Sequence, residues 1–366
     1  MALKAVIMAG GKGTRLRPIT YSIPKPLVPI AGKPCIDYSI NSYYNAGVKN
    51  VIITTGYKFE SLIMGVLEFK NEDQNILFSV EKEPAGTAGS VKLVREFVDD
   101  TVIIGSGDTL VDFDISDMLR FHKEKKSKLT IGLTTVDDPS QFGIVELKND
   151  LVVRFLEKPS KDETFSNLIN AGVYIMEPEV IDHIPSGIQY DFAKQLFPKL
   201  LKESEKIYGY VGSGTWLDTG RPNDMIRANQ IMTEKYGTEM NSENTKGKVI
   251  IKSRRIGTGN SDTVIEGPTY IGENVSIGKN AVIKRSAIYD GVTIGDDVEI
   301  TDSILMDSSR VKDKTNIDRS VIMRQTTIGE NCEIHESVLS PRLNLQSNSR
   351  VYQVSLSSEI IQEENQ

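Results

Sequence analysis

The sequence predicts an α/β domain followed by a three-sided, left-handed parallel β-helix. Three observations carry this. Over residues 1–236, short β-rich runs alternate with helical patterns. Residues 237–248, GTEMNSENTKGK, are polar with two glycines and read as a linker. From residue 265 onward, aliphatic residues recur at intervals of six, six and five, a 17-residue period. No helix has that period. A prism of short strands does, each strand turning one aliphatic side chain inward per side.

The repeat keeps its register over a long stretch. Ile271, Ile277, Ile283, Ile288, Ile294, Ile300 and Leu305 open a series that runs to Val351. A second marker has the same period: Ser286, Ser303, Ser320 and Ser337 each stand two residues before an aliphatic residue. Gly272, Gly278, Gly295 and Gly329 follow isoleucines at turn positions. About five coils at a strand spacing of ~4.8 Å give a prism roughly 24 Å long. The β-helix is assigned to 249–356, with 357–366 as a polar tail.

The elements of the first domain follow in order. Ala5–Ala9 is a short apolar run of the kind that forms a buried strand. Pro34–Ala46 reads as a helix with proline at its start. Strand 51–55, helix 59–69, strand 76–80, helix 90–97 and strand 101–104 come next. Asp112 and Asp114 are capping candidates for a helix over 117–126. A strand at 129–136 precedes a hairpin, 143–147 with 152–156, around Asn149-Asp150. A strand at 171–176 follows. Helices at 192–202 and 222–236 flank strands at 207–211 and 216–218.

Composition narrows the function. The chain has 366 residues, 39% hydrophobic and 25% charged, and no run approaches the ~18 apolar residues of a membrane span. The N-terminal apolar run lacks a cationic flank and a cleavage site, so it reads as a strand rather than a signal. A net charge of −7 argues against a general nucleic-acid binder. Cys35 and Cys332 stand far apart, which suits a reducing cytoplasm and suggests neither disulfides nor a cysteine zinc site. His122, His183 and His335 are isolated, so the chemistry is not expected to run on histidine.

Five features could carry chemistry. Ala9-Gly10-Gly11-Lys12-Gly13-Thr14-Arg15 follows the first strand, and its glycines let backbone N–H groups approach a phosphate chain. It is not Walker A, because Gly13 is followed by Thr14-Arg15. It is not a dinucleotide fingerprint, because Leu16 stands where the third glycine belongs. Lys25 lies between Pro24 and Pro26, which are expected to hold it extended as a fixed point charge. Glu83 to Ser90, with Gly86 and Thr87, is a small-residue loop against which a flat ring can lie. It is equally a helix start capped by Thr87 or Ser90. Asp108 and Asp218 each follow a strong strand, where ligands of open α/β sheets sit, and two carboxylates there suit Mg²⁺. Gly143, Glu157-Lys158-Pro159 and Asn170 are tools for sugar hydroxyls and a phosphate. Alone, each has a plainer reading: a tight corner, a proline turn, a cap or a strand-end loop.

Together these motifs resemble the sugar-1-phosphate nucleotidyltransferases. Gly10 to Leu16, Pro24-Lys25-Pro26, Glu83 to Gly89, Gly107-Asp108, Phe142 to Val145, Glu157-Lys158-Pro159, Asn170-Ala171-Gly172 and Trp216 to Gly220 appear in the family's order. A β-helix tail is also common in that family. The resemblance implies a Rossmann-like nucleotidyltransferase domain with a mixed sheet. It also implies a reaction in which a sugar 1-phosphate attacks the α-phosphorus of a nucleoside triphosphate and pyrophosphate leaves. By the same resemblance Arg15 and Lys25 serve the phosphates, and Asp108 and Asp218 hold Mg²⁺. Ala9, Gly10, Gly11, Gly13, Thr14, Glu83, Gly86 and Thr87 take the nucleotide. Gly143, Glu157, Lys158 and Asn170 take the sugar phosphate. The mannose-1-phosphate guanylyltransferase branch looks nearest, which favours GTP. Glucose-1-phosphate thymidylyl- or uridylyltransferases are the alternative. A non-catalytic nucleotide-sugar sensor is a reading of another class, and a second acyltransferase activity in the β-helix would need His335. The expected enzyme is cytoplasmic, binds neither membrane nor nucleic acid, and forms homo-oligomers through the β-helix.

Overall fold

The computed structural model describes residues 3–253 and 262–356. The expected tail at 357–366, and residues 254–261 of the expected β-helix, lie outside the described residues. By internal contacts the chain forms two compact units. The first comprises 1–12, 24–27 and 34–218; the second comprises 13–23, 28–33 and 219–366.

The first unit is built on a nine-stranded mixed sheet. Its elements are β1 (Lys4–Met8), α1 (Cys35–Asn45), β2 (Asn50–Thr55), α2 (Phe59–Phe69), β3 (Asn75–Val80), α3 (Gly86–Lys92), β4 (Val102–Ser106), β5 (Thr109–Val111), α4 (Ile115–Glu124), β6 (Leu129–Thr135), β7 (Gly143–Lys148), β8 (Leu151–Glu157), β9 (Leu168–Met176), α5 (Pro178–Asp182), α6 (Phe197–Lys202), β10 (Ile207–Val211) and β11 (Trp216–Asp218). The strand order is β3-β2-β1-β4-β9-β6-β10-β8-β7. The strands β3, β2, β1 and β4 run parallel, and β9 is antiparallel to both its neighbours.

Burial explains the apolar first strand. Flanked by β2 and β4, β1 is covered on both faces, and Ala5, Val6 and Ile7 have no exposed surface. Val6, Ile52 and Ile104 pack into one layer with Val91 of α3 and Val180 of α5. Ala5, Ile7, Ile53 and Ile103 pack into the other with Ile36 and Ile40 of α1, Leu62 of α2 and Met118 of α4.

Local chemistry sets several boundaries. The Asp114 carboxylate accepts from the Asp117 N–H at 3.0 Å and caps α4. Asn149 and Asp150 both take positive φ, 50° and 66°, as a two-residue hairpin requires. The helix expected at 90–97 instead begins at Gly86, and 95–97 form a separate 3₁₀ turn. In the stretch expected as one helix, residues Phe192–Leu196 form a wider π turn before α6. Pro198 has no N–H to offer the carbonyl four residues earlier. The strand β5 and the short helix α5 were not expected.

The second unit holds α7 (Pro222–Tyr236), two strands β12 (Thr238–Asn241) and β13 (Thr245–Ile251), and the coils that follow. By contact, α7 groups with 13–23 and 28–33 in the second unit, so the expected 1–236 domain is divided between the two. Residues 237–248, expected as a linker, instead form the antiparallel pair β12–β13, closed by the Ser242 N–H on the Thr245 carbonyl at 2.8 Å. Their polarity marks a solvent-facing edge, because β13 also pairs in parallel with the first strands of the prism.

From Ile271 onward the prism has the expected period; the coil before it is one residue longer, with Ile265 opposite Ile283. Ile283, Ile300, Ile317, Ile334 and Val351 stand in parallel register 17 residues apart, as do Ile288, Leu305, Ile322 and Leu339, and Ile277, Ile294, Val311, Ile328 and Leu345. They fill one continuous apolar core. The periodic serines form a ladder at one corner. The N–H groups of Ser303, Ser320 and Ser337 each donate to the hydroxyl of the serine one coil before, at 3.0 Å. Each of those hydroxyls donates back to a carbonyl two residues earlier, as Ser303 does to Thr301 at 2.7 Å. The residue before each serine takes positive φ: Arg285, Asp302, Arg319 and Glu336. Their side chains pair along the corner, Arg285 with Asp302 at 2.7 Å and Arg319 with Glu336 at 2.6 Å.

One outer face of this prism is also apolar and buried. Ala287, Ile304, Val321 and Val338, with Tyr289, Met306 and Met323, pack against Met225 and Ile226 of α7 and against Leu16, Ile19 and Val28. The segments 13–23 and 28–33 are thereby part of the second unit's core.

Ser303→Ala should lower the unfolding free energy of the β-helix by about 1–3 kcal/mol, because it leaves the buried Ser320 N–H without an acceptor. Chemical denaturation followed by circular dichroism reads this directly. An unchanged midpoint would show that the ladder does not hold the corner.

Candidate active site

The site is assembled at the carboxyl ends of β1, β3 and β4. The loop after β1 is tied down by backbone bonds from the Ala9 N–H to the Thr54 carbonyl, 2.8 Å, and from the Gly107 N–H to the Met8 carbonyl, 2.9 Å. The backbone at Gly10 approaches Glu81 closely: a Cβ there would lie 3.2 Å from Glu81 Oε1. Glu81 is the first residue beyond β3. Its N–H donates to the Thr55 carbonyl at 2.7 Å, and its Oε2 accepts from the Ala85 N–H at 3.2 Å. Burial pushes the Glu81 carboxyl above its ordinary value, against the Ala85 hydrogen bond.

Gly86 opens α3 with φ of 76°, and a Cβ would meet the Tyr190 carbonyl oxygen at 2.7 Å. Neither Thr87 nor Ser90 caps the helix through its own side chain. The Thr87 N–H and hydroxyl instead both reach Asp191 Oδ1, at 3.1 and 3.2 Å.

The charged centre is Lys25. It lies in a 3₁₀ turn, Lys25–Leu27, rather than the expected extended segment, with the Leu27 N–H on the Pro24 carbonyl at 2.8 Å. Proline fits such a turn because its first N–H groups need no partner. Lys25 is buried, 5% exposed, and its ammonium bridges two carboxylates, Asp108 at 2.9 Å and Asp218 at 2.8 Å. The register of β11 on β5 explains the convergence. Asp218 sits opposite Thr109, one residue from Asp108. Asp108 also accepts from the Ser106 hydroxyl. Burial alone would lower the Lys25 pKa, but the two carboxylates outweigh it and raise it well above the lysine range. Burial would raise Asp108, and Lys25 with the Ser106 hydroxyl outweighs that and lowers it.

A cavity of about 270 Å³ opens between these parts. Of the expected residues, Ala9, Gly10, Gly11, Lys25, Gly86, Thr87 and Asp108 line it. Asp218 joins through Lys25. Glu83 is exposed and does not line it; Glu81 does. Glu81 had a readable signal, since it follows a strand end just as Asp108 does. Ser90, Ser106, Gln189 and Asp191 also line the cavity, and the last two lie in a stretch without any motif. Gly13, Thr14 and Arg15 group with the second unit. Gly13 has φ of 60°, and its carbonyl accepts from the Leu16 N–H at 3.0 Å and the Thr20 hydroxyl at 2.9 Å. Arg15 is exposed, and Leu16 beside it is fully buried.

The four expected sugar-side residues lie on β7, β8 and β9 and at their ends, and none of them lines the cavity. Gly143 pairs with Glu157, and a Cβ at Gly143 would lie 2.8 Å from Glu157 Oε2. Burial pushes the Glu157 carboxyl up; Lys158 and Lys194 oppose this, and the Asp191 charge adds to it. Lys158 takes φ of 49° and donates its N–H to the Phe142 carbonyl at 3.0 Å. Asn170 accepts from the Gly172 N–H at 3.0 Å and donates to the Tyr174 hydroxyl at 3.1 Å.

Residues 4–235 match the family described as Nucleotidyl transferase. The chain belongs to the nucleotidyl transferase family. Residues 297–352 of this nucleotidyltransferase further match a family described as GlmU-like, C-terminal hexapeptide. It is 34% identical over 296 residues to a mannose-1-phosphate guanylyltransferase of Mycobacterium tuberculosis, covering 78% of this chain and 80% of that one. It is 37% identical over 234 residues to the mannose-1-phosphate guanyltransferase of Saccharomyces cerevisiae, covering 61% of this chain and 63% of that one. The match to the yeast enzyme thus spans less than two thirds of its length. Among solved structures it is similar to a putative glucose-1-phosphate thymidylyltransferase from Bacillus anthracis, with TM-score 0.56 and 26% identity, over 63% of this chain and 95% of that one. It is also similar to HddC from Yersinia pseudotuberculosis complexed with GMP-PN, with TM-score 0.55 and 28% identity, over 63% of this chain and 99% of that one. Among the described residues no helix is long and apolar enough to cross a membrane.

The Lys25 triad gives a pH signature. Asp108, lowered in the folded state, adds stability above the ordinary aspartate range, and this is lost as pH falls through its folded pKa. Lys25, raised, adds stability that is complete below its ordinary value and is lost only as pH climbs through its folded pKa. In Lys25→Met the two carboxylates converge without the ammonium between them, and protonation relieves their repulsion. The variant should therefore gain stability as pH drops from about 7 to about 5, while the wild type does not. Thermal unfolding in chelator across that range tests this, and parallel profiles would refute it.

Proposed function

We propose that this nucleotidyltransferase moves a guanylyl group from GTP to mannose 1-phosphate, giving GDP-mannose and pyrophosphate. The observation that carries the reading is the buried Lys25 bridging Asp108 and Asp218 at the wall of the cavity lined by the glycine loop. Phosphoryl transfer of this kind needs placement and charge neutralisation rather than a covalent nucleophile. Lys25 holds a phosphate oxygen and helps keep the Asp108 carboxylate ionised. Gly10 and Gly11 let the phosphate chain approach backbone. Arg15, in the same loop, is assigned to the triphosphate by its sequence position. Glu157, Lys158, Asn170 and Gly143 are assigned to the sugar phosphate.

The base reading rests on Glu81. Its carboxyl accepts and, when ionised, has no proton to give. Guanine presents N–H donors on adjacent positions of its pairing edge, which a carboxylate matches. The names of the mannose-1-phosphate relatives and of the GMP-PN complex agree with this choice. The Bacillus neighbour keeps a thymidylyl alternative in view. Mg²⁺ fits the same site. Asp108 and Asp218 offer hard oxygen donors that already converge on one cationic group, and Mg²⁺ usually takes one or two carboxylates with phosphate oxygens. When bound it neutralises charge on the triphosphate. The enzyme is proposed to act in the cytoplasm as a homo-oligomer through the β-helix, whose last coil, among the described residues, has strands paired on one side only.

Pyrophosphate release, measured with Mg²⁺, each of four NTPs, and mannose-, glucose- or N-acetylglucosamine 1-phosphate, is expected to be fastest for GTP with mannose 1-phosphate. Asp108→Asn should cut turnover on the order of a hundredfold or more. Glu81→Gln should shift relative kcat/KM from GTP toward dTTP or UTP by about tenfold. Absence of release with every combination would sink the reading. An unchanged base preference in Glu81→Gln would remove its base assignment.

A further inference from the structure

We propose that Asp191 is a positioning residue for the nucleotide wall of the cavity, fixing Thr87 and, through it, the Gly86 backbone. The proposal rests on the nucleotide-binding reading above. Residues 85–89 and 190–192 lie about a hundred positions apart in sequence and are laced together by six hydrogen bonds. The Tyr190 N–H donates to the Ala85 carbonyl at 2.8 Å, and the Tyr190 carbonyl accepts from the N–H groups of Ala88 and Gly89 at 2.9 Å each. Asp191 Oδ1 accepts from the Thr87 N–H and hydroxyl, and the Phe192 N–H donates to that hydroxyl oxygen at 3.0 Å.

Three of the six bonds are backbone to backbone; the two on Asp191 end on its carboxylate, and the Phe192 bond ends on the Thr87 hydroxyl. The backbone lacing keeps the two segments together in any variant. The Asp191 carboxylate sets where Thr87 sits within that lacing. Thr87 is exposed and has no core packing to hold it, so its place depends on these bonds. Gly86, immediately before it, is at positive φ and has no room for a side chain against Tyr190. Both residues line the cavity, and so does Asp191. Asp191 is itself anchored. Its N–H donates to Gln195 Oε1 at 2.6 Å, and Lys194 Nζ lies 4.0 Å from its other oxygen. The same charge adds to the upward shift of the Glu157 carboxyl.

Asp191→Ala should raise KM and the calorimetric Kd for GTP by about tenfold, with kcat changed by less than about threefold. Asp191→Asn keeps an oxygen at Oδ1 and should restore both constants to near wild type. Thr87→Val removes the hydroxyl from the other side, and combining it with Asp191→Ala should cost less than the two single effects together. A wild-type GTP affinity in Asp191→Ala would overturn the proposal. So would an Asp191→Asn enzyme as impaired as the alanine variant, or strict additivity of the pair. If Asp191→Ala fails to fold, Thr87→Val and Asp191→Asn decide alone. A wild-type chain that binds GTP without releasing pyrophosphate would sink the transferase reading, while the Kd series would still judge Asp191.

Discussion

Two carboxylates can both stay ionised at one point inside a protein at little cost only if a cation stands between them. Lys25 is that cation, and much of the first unit can be read as the means of delivering it. Pro24 and Pro26 fix the turn that carries it. The strand β4 delivers Asp108, and the small ladder of β11 on β5 delivers Asp218 from more than a hundred residues away. Breaking one arm of such a buried cluster leaves a charge without its partner, which costs far more than the intact pair contributes. The sheet and its helices therefore have to hold their register closely, and the cavity inherits that rigidity.

That rigidity is unequally distributed around the cavity. The glycine loop hangs between fixed backbone bonds to β2 and β4. The opposite wall depends on lacing between segments remote in sequence, with one side-chain carboxylate among its acceptors. Charge fixed by the sheet on one side and a wall fixed by tertiary lacing on the other suit a reaction in which phosphates and base must both be placed closely.

The sequence revealed the β-helix almost completely, because its period is imposed by one inward aliphatic residue per side and turns leave no slack in the count. The periodic serines were visible as a pattern, but their purpose was not. Only the coordinates show each hydroxyl receiving the N–H of the next coil. The strand-end carboxylates Asp108 and Asp218 were legible by position, but their meeting depends on β5, three residues too short to announce themselves. Glu81 lines the cavity while the small-residue motif begins two residues farther along at Glu83, so the motif does not mark it. Asp191 lies in a stretch whose importance is wholly tertiary. Residues 237–248 misled through composition, since an exposed hairpin and a flexible linker share the same polar residues.

A repeat of 17 residues with three columns of inward side chains also behaves as a unit of length. Removing or adding one whole coil shifts every later Ile, Ser and positive-φ corner onto an equivalent place, so the prism can change height without a change in cross-section. A single-residue insertion within a strand has no such freedom, for it would turn that strand's aliphatic side chain outward. Evolution along this part of the chain is therefore expected to proceed in whole steps at the far end. The coils nearest α7, whose outer faces are already covered, are fixed in number by what packs on them.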